Sequence, residues 1–407
     1  MRLLVVGHPL VVAYNQKKYV AMKRIDPSLQ LRIVVPKQNR HPFGTFRWEV
    51  HPELNSEEVV ALASVFSQSH MTYVLDPVRM AWILRQFRPE VIHVEEEPHA
   101  GVTVATTCLR DALLPQAAIT LFTWDNLHRS RRFPLGALKR KLRSYTLRRA
   151  AAVVCGNRDA ERLLRMQEAH KRYTVVLPQF GLDPSDHTAG TEPELRIQLE
   201  LAGSIVVGYM GRMVPEKGIL LLLAALEKLS QYPWKLVLVG SGPLEQEIHE
   251  HWIARFPGRI VHVRAVLHQE VPRYLRCLDV FVLASYAVAH WKEQFGLTLA
   301  QAMMLGIPSV VSSCGAIPEV VGPGGLIFEE GKEESLREAL QMLFSFARCR
   351  RELGARAREF ALRHYTIAGI ADRYLSVFEQ AKSLHATARS GQSRETAVAE
   401  SNRAYHP

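Results

Sequence analysis

The chain has 407 residues, 47% hydrophobic and 22% charged, the proportions of a folded globular protein of about two domains. Its net charge is +11. Its five cysteines (Cys108, Cys155, Cys277, Cys314, Cys349) are scattered without a Cys-x-x-Cys pair, which argues against a disulfide framework or a zinc site and fits a reducing cytoplasm. The longest apolar runs, such as Ile219 to Leu226 and Leu236 to Val239, fall well short of the ~20 residues of a membrane span.

The opening Met1-Arg-Leu-Leu-Val-Val-Gly7 is too short for a signal-peptide core and reads as a buried strand. From there, short β-branched runs alternate with longer helical patterns. Strands are expected at Leu3–Val6, Leu31–Val35, Val91–Val94, Ala118–Phe122, Ala152–Cys155 and Tyr173–Leu177. A second set is expected at Ile205–Tyr209, Lys235–Val239, Ile260–Val263, Val280–Leu283, Ser309–Ser312 and Leu326–Phe328. Near-continuous apolar strands alternating with helices imply parallel sheets covered on both faces, hence an α/β chain of two doubly wound, Rossmann-like domains.

The expected division is 1–180 for the first domain, 181–204 for a polar, turn-rich linker and 205–365 for the second. A closing helix is expected at 366–384. The tail 385–407 is polar and aperiodic and reads as disordered.

Between Arg129 and Arg149 nine basic residues occur with no acid among them: Arg129, Arg131, Arg132, Lys139, Arg140, Lys141, Arg143, Arg148 and Arg149. Leu135, Leu138, Leu142 and Tyr145 recur there at helical spacing. Two readings stand: an interfacial helix at an anionic membrane, or a solvated cationic helix packed on its own domain. No nucleic-acid recognition motif accompanies the charge, so nucleic acid is not an expected partner.

Gly211-Arg-Met-Val-Pro-Glu-Lys-Gly218 follows a strand and precedes the helical run Ile219–Leu229. Beyond a strand's carboxyl end, Arg212 and Lys217 are placed to meet phosphate oxygens, and cations at a helix start are disfavoured unless an anion joins them. Gly240-Ser-Gly-Pro-Leu-Glu245 resembles the start of a dinucleotide fingerprint, but Glu245 stands where the third glycine belongs and would repel a pyrophosphate. A tight strand-to-helix turn is the simpler reading. Glu293-Gln-Phe-Gly-Leu-Thr-Leu-Ala-Gln301 is a loop feeding a helix N-terminus. There the N–H groups of Phe295, Gly296 and Leu297 are available to an anion. Gln301, in the helix that follows, offers an uncharged amide to hydroxyls.

Those segments resemble the retaining GT-B glycosyltransferases of family 4, or group 1 type, which include sucrose synthases, bacterial mannosyltransferases and lipopolysaccharide sugar transferases. Pro178-Gln-Phe-Gly-Leu-Asp183, Gly211–Gly218, Val239-Gly-Ser-Gly-Pro-Leu244, Glu293–Gln301 with Ala302-Met-Met-Leu-Gly-Ile-Pro308, and Gly315-Ala-Ile-Pro-Glu-Val-Val-Gly322 carry the likeness. It covers the C-terminal half almost continuously. The N-terminal half matches mainly in strand pattern and in Ile92-His-Val-Glu-Glu-Glu-Pro98.

The resemblance implies two doubly wound domains facing across a cleft, and transfer of a sugar from a nucleotide diphosphate-sugar to a saccharide or lipid-linked acceptor with retention of configuration. It implies that Arg212 and Lys217 stabilise the leaving diphosphate and that Glu293, Gly211 and the Phe295–Leu297 backbone hold the donor. It implies no metal, no cofactor and no covalent protein nucleophile. The family's second acidic residue, which binds ribose hydroxyls, falls on Gln301. The first loop, Gly7-His-Pro-Leu-Val-Val-Ala-Tyr-Asn15, lacks the paired glycines common there. Phe122-Thr-Trp-Asp-Asn126 occupies the place of an expected histidine. Glu97, His99, Trp124 and Asn126 are the candidate acceptor-side residues. A cytoplasmic enzyme peripheral on the inner face of the membrane is the expectation. The alternative, favoured by Gln301 and the irregular first loop, is a catalytically silent sugar-nucleotide-binding scaffold of a polysaccharide assembly complex.

Overall fold

A computed structural model describes residues 1–41, 44–67, 69–127, 134–168 and 173–390. The chain divides into two units, Met1–Gly181 with Ile367 onward, and Leu182–Thr366.

In the N-terminal unit the sheet strands are β1 (Arg2–Val6), β2 (Gln30–Pro36), β3 (Val59–Leu62), β4 (Val91–Val94), β5 (Ala118–Thr123), β6 (Ala152–Cys155) and β7 (Tyr173–Val176). Their order is β7-β6-β5-β4-β1-β2-β3, and every pairing is parallel. The C-terminal unit has β8 (Ile205–Met210), β9 (Trp234–Val239), β10 (Ile260–Val263), β11 (Val280–Leu283), β12 (Ser309–Ser312) and β13 (Gly325–Phe328). Their order is β10-β9-β8-β11-β12-β13, again all parallel. Each unit is doubly wound, because the chain leaves its first strand in one direction and later resumes on that strand's other side. The switch points lie between β1 and β4 and between β8 and β11, where open α/β sheets bind ligands.

Helices cover both faces of the first sheet, as strands apolar on both sides require. On one face α2 (Pro77–Phe87), α3 (Gly101–Leu113), α4 (Pro134–Arg149) and α5 (Arg158–Glu168) lie over a core containing Leu4, Val6, Ile92, Val94, Leu147 and Leu164. On the other face α1 (Ala13–Ile25) and the last helix, Ile367–Arg389, share a core with Val5, Ile33 and Phe122. That last helix presents Ile370, Ala371, Tyr374, Val377, Phe378 and Ala381 at three- and four-residue spacing. Without it the apolar face of the N-terminal sheet would meet water, and so the closing helix belongs to the first unit.

Three boundaries differ from expectation. The strand β3 was not foreseen; it is an edge strand that follows directly on the polar run Ser56, Glu57 and Glu58. The last helix continues past 384 to Arg389, where His385 Nε2 and Arg389 Nη1 each lie 2.9 Å from the Pro115 carbonyl oxygen. The tail from 391 on lies outside the described residues. The stretch expected as a linker is part of the second unit. Leu182 N–H donates to the Tyr365 carbonyl at 2.8 Å, Arg358 donates to the His187 carbonyl at 3.2 Å, and Glu192 accepts from Arg276 at 2.8 Å. The stretch is fastened by backbone and side-chain bonds to distant residues of the unit, which hydropathy does not reveal.

Candidate active site

The loop after β8 and the loop after β11 meet at the switch point of the C-terminal unit. Gly211, Arg212, Lys217, Glu293, Gly296 and Leu297, all singled out by sequence, line one pocket of about 210 Å³ together with Tyr209, Leu283 and Thr298. Lys217 Nζ lies 2.6 Å from Glu293 Oε2, and the Ser285 hydroxyl donates to the same oxygen at 3.0 Å. The ammonium also sits 4.6 Å from the centroid of the Trp291 ring. A hairpin bridge between Val288 and Trp291 returns the indole to that position. Trp291 and Ser285 escaped the sequence reading: they stand two and eight residues before Glu293, and only the loop's path brings them back.

Arg212 is exposed and forms no ion pair among the described residues, while its carbonyl accepts from the Tyr209 hydroxyl at 2.7 Å. That hydroxyl is held in its protonated, donating form, since burial and then the Glu293 charge raise its pKa. The pocket thus carries one uncommitted guanidinium, one ammonium shared with a carboxylate, and the N-terminus of the helix Leu297–Met304, whose first N–H groups have no intrahelical partner. Fixed positive charge and free donors around a small polar pocket suit a diphosphate.

Two expected donor residues, Phe295 through its backbone N–H and Gln301 through its amide, are not in the pocket lining. The Phe295 side chain turns into the core, edge-on to Tyr365 at 5.5 Å between ring centroids. Gln301 does not line the pocket; it is 2% exposed, and among the described residues its Nε2 has no hydrogen-bond partner. It lies one helical turn beyond Leu297, so its side chain leans back over the turn that does line the pocket. Glu245 confirms the simple reading of the Gly-Ser-Gly loop: its Oε1 accepts the Gly242 N–H at 2.8 Å, in the place a phosphate would take.

The acceptor-side candidates gather at the ends of β4 and β5. The half-buried Glu97 accepts from the Thr123 hydroxyl at 2.7 Å and from the Trp124 N–H at 2.8 Å. Trp124 Nε1 donates to Gln179 at 2.8 Å, and Gln179 Nε2 donates to Glu95 at 3.2 Å. Glu95 in turn is paired with the buried Lys18 and accepts from Tyr19. Asn126 is buried close by and His99 is half-buried past Pro98.

Burial, then the neighbouring Asp125, pushes the Glu97 pKa up to about 7. An acid whose folded pKa is raised stabilises the fold below its unfolded pKa near 4.5, and that stability is lost as pH rises through about 7. Glu97→Gln, which stays neutral, is therefore expected to close the gap between melting temperatures at pH 5 and pH 8. The full effect of such a shift is about 3 kcal/mol, reduced by the water that reaches the carboxyl. A variant whose melting temperature follows pH as the parent's does removes the assignment.

Residues 204–345 match the family model described as glycosyl transferases group 1. The chain is 30% identical over 201 residues to the spore coat protein SA of Bacillus subtilis (strain 168), covering 46% of this chain and 52% of that one. It is 26% identical over 325 residues to the 2-deoxystreptamine N-acetyl-D-glucosaminyltransferase of Streptomyces fradiae, covering 72% and 73%. By and large the chain spans about half the length of the curated relatives it matches. The crystal structure of Anabaena HepE in complex with UDP superposes with a TM-score of 0.72 at 16% identity, covering 93% of this chain and 100% of that one. Two doubly wound parallel α/β units of this kind are the GT-B fold. The match to the group 1 glycosyltransferases lies within the C-terminal unit.

Proposed function

We propose that the chain is a glycosyltransferase that takes a sugar from a nucleotide diphosphate-sugar and passes it to a saccharide or lipid-linked acceptor with retention of configuration. The observation that carries this reading is the pocket holding Arg212, Lys217 and Glu293 against the N-terminus of Leu297–Met304. The cations and helix N–H groups would stabilise the diphosphate as it leaves, and the fixed dipoles would need no reorganisation. Glu293 would accept from donor-sugar hydroxyls while holding Lys217 in place. The fold supports the same reading, since HepE has been crystallised with UDP and with UDP-glucose. Neither metal nor cofactor is part of the proposal. Thermal-shift screening against UDP-, GDP- and ADP-sugars, followed by a donor-hydrolysis assay, tests it. A protein that binds none of them is not this enzyme, and one that binds without turnover is the scaffold instead.

Gln301 sharpens the donor side. An amide without a protein partner can give one hydrogen bond and take one, which suits neighbouring hydroxyls of a ribose. Gln301→Glu is expected to keep or improve nucleotide-sugar binding, by about 1 kcal/mol, because an ionised acceptor makes the stronger bond. Calorimetric affinities that fall for every nucleotide sugar would remove Gln301 from the site.

A cytoplasmic, membrane-peripheral location is the companion proposal. Among the described residues no helix is long and apolar enough to cross a bilayer. The segment 129–149 offers less to lipid than its sequence suggests. Arg129, Arg131 and Arg132 lie outside the described residues. Arg143 pairs with Asp125 at 3.0 Å, and Arg149 pairs with Asp111 while covering the Tyr145 ring. Arg140, Lys141 and Arg148 remain exposed, with Leu138 53% exposed among them. Salt-weakened co-sedimentation with anionic vesicles is expected, each facing cation adding about 1 kcal/mol at low salt. Equal pelleting with neutral vesicles, or none with either, rules this out.

A further inference from the structure

Two histidines converge at one edge of the C-terminal sheet, outside the pocket. His262 stands on the edge strand β10, and His249 on the helical segment before it. His249 Nε2 lies 2.8 Å from His262 Nδ1, and the rings meet at 67° with their centroids 5.0 Å apart. His262 Nε2 lies 3.0 Å from the Gly240 carbonyl oxygen. A carbonyl only accepts, so the proton of the neutral His262 ring sits on Nε2 and the Nδ1 lone pair faces His249. Neither histidine lines the pocket of Arg212 and Lys217.

Burial does not explain the pairing. His249 is exposed and His262 half-buried, so water could serve both rings, and a neutral hydrogen bond open to water contributes little. A ring that gives one N–H to a backbone carbonyl and holds out its other nitrogen is how metal-binding histidines are oriented. His249 also lies in a π-helical run, Ile248–Ile253, a rare conformation found often at functional sites. Two side chains 13 residues apart, on different elements, thus aim a nitrogen at one point.

We propose that His249 and His262 hold a divalent transition ion, zinc or copper(II), between Nε2 and Nδ1. Two zinc–nitrogen bonds of about 2.0 Å at a tetrahedral angle set the nitrogens about 3.3 Å apart. The pair needs to part by only about half an ångström, which rotation of the exposed His249 side chain supplies. The ion takes the place of the His249 Nε2 proton. That ring gives a proton to water at Nε2 and takes one at Nδ1, so both rings stay neutral. Imidazole nitrogens suit zinc and copper(II), whereas magnesium and calcium take oxygen ligands. Among the described residues no third His, Cys, Asp or Glu completes a metal cluster, so water fills the other positions. The ion clasps the helical segment to a four-residue edge strand and stabilises the folded unit by mass action. It takes no part in the proposed sugar transfer, and the site does not depend on that reading.

The test uses the full chain without a histidine tag, stripped with EDTA and dialysed. Zinc chloride alone is titrated by calorimetry and by 15N NMR of the chain labelled at histidine. The two rings are assigned by their disappearance in His249→Gln and His262→Gln. Zinc should move both rings together, raise the parent's melting temperature, and bind about tenfold or more weakly in either variant. The rise in melting temperature is read against each variant's own zinc-free value. His251→Gln, an exposed neighbour in the same π-helical run, should bind zinc as the parent does. Magnesium chloride should move neither ring. Zinc that leaves both rings where they were, binds parent and both variants alike, or is matched by magnesium overturns the proposal. So does an equally large loss in His251→Gln.

Discussion

Arg212→Ala and Lys217→Ala are each expected to lower turnover by roughly 100-fold or more, measured as donor consumption under conditions where the parent is active. Removing one preorganised charge from a developing anion costs about 3 kcal/mol in the barrier. The two variants should differ in stability. Arg212 is exposed and has no ion-pair partner among the described residues, so its loss leaves the fold where it was. Lys217 pairs with Glu293, which is 7% exposed, and its removal takes a counter-charge from that carboxylate. Losing a counter-charge beside a partly buried carboxylate is costly, so Lys217→Ala should melt several degrees below the parent. Lys217→Ala with Glu293→Gln should recover stability and not turnover. Near-parental turnover in either single variant would remove the diphosphate role.

The double winding was readable because many strands of the two large sheets, Leu3–Val6 and Val280–Leu283 among them, are runs of buried Val, Ile, Leu or Phe, and such runs announce parallel strands without any tertiary information. Val59–Leu62 was not readable, being an edge strand that follows directly on the polar run Ser56, Glu57 and Glu58. In the pocket of the C-terminal unit, Arg212, Lys217, Glu293 and Gly296 were legible because their loops sit between a strand and a helix, and topology alone brings such loops to the switch point. Trp291 was not, because its place against Lys217 depends on a hairpin within an irregular loop. The contact between His8 and Glu96 was invisible for a related cause. The residues are 88 apart, and it takes the β1–β4 pairing, with Val6 beside Val94, to set their loops side by side. The pairing of the cationic run was not legible either: sequence shows no acid within it, but Asp111 and Asp125 reach it from neighbouring elements.

Gly240→Ala and Gly315→Ala are expected to unfold or severely loosen the C-terminal unit, and to abolish nucleotide-sugar binding even where some fold survives. Gly240 has φ 143°, and a Cβ there would overlap the carbonyl oxygen of Gly211. Gly315 has φ 55°, and its Cβ would overlap the carbonyl oxygen of Glu293. Each glycine therefore lets one wall of the pocket close: Gly240 seats the loop that carries Arg212, and Gly315 seats the loop that carries Glu293. The backbone contacts are specific, with Gly211 N–H on the Val239 carbonyl at 3.0 Å and Ala316 N–H on the Glu293 carbonyl at 3.1 Å. A positive φ alone costs about 1–2 kcal/mol for alanine, and backbone atoms cannot swing aside as a flexible side chain can. Gly258→Ala separates the two contributions. It shares a positive φ, 73°, but its Cβ would meet nothing within 4 Å. That variant should lose only the conformational term, a few degrees in melting temperature for a unit of this size, and should bind nucleotide sugars as the parent does. Should Gly240→Ala or Gly315→Ala melt no lower than Gly258→Ala, the backbone crossings do not set the pocket walls.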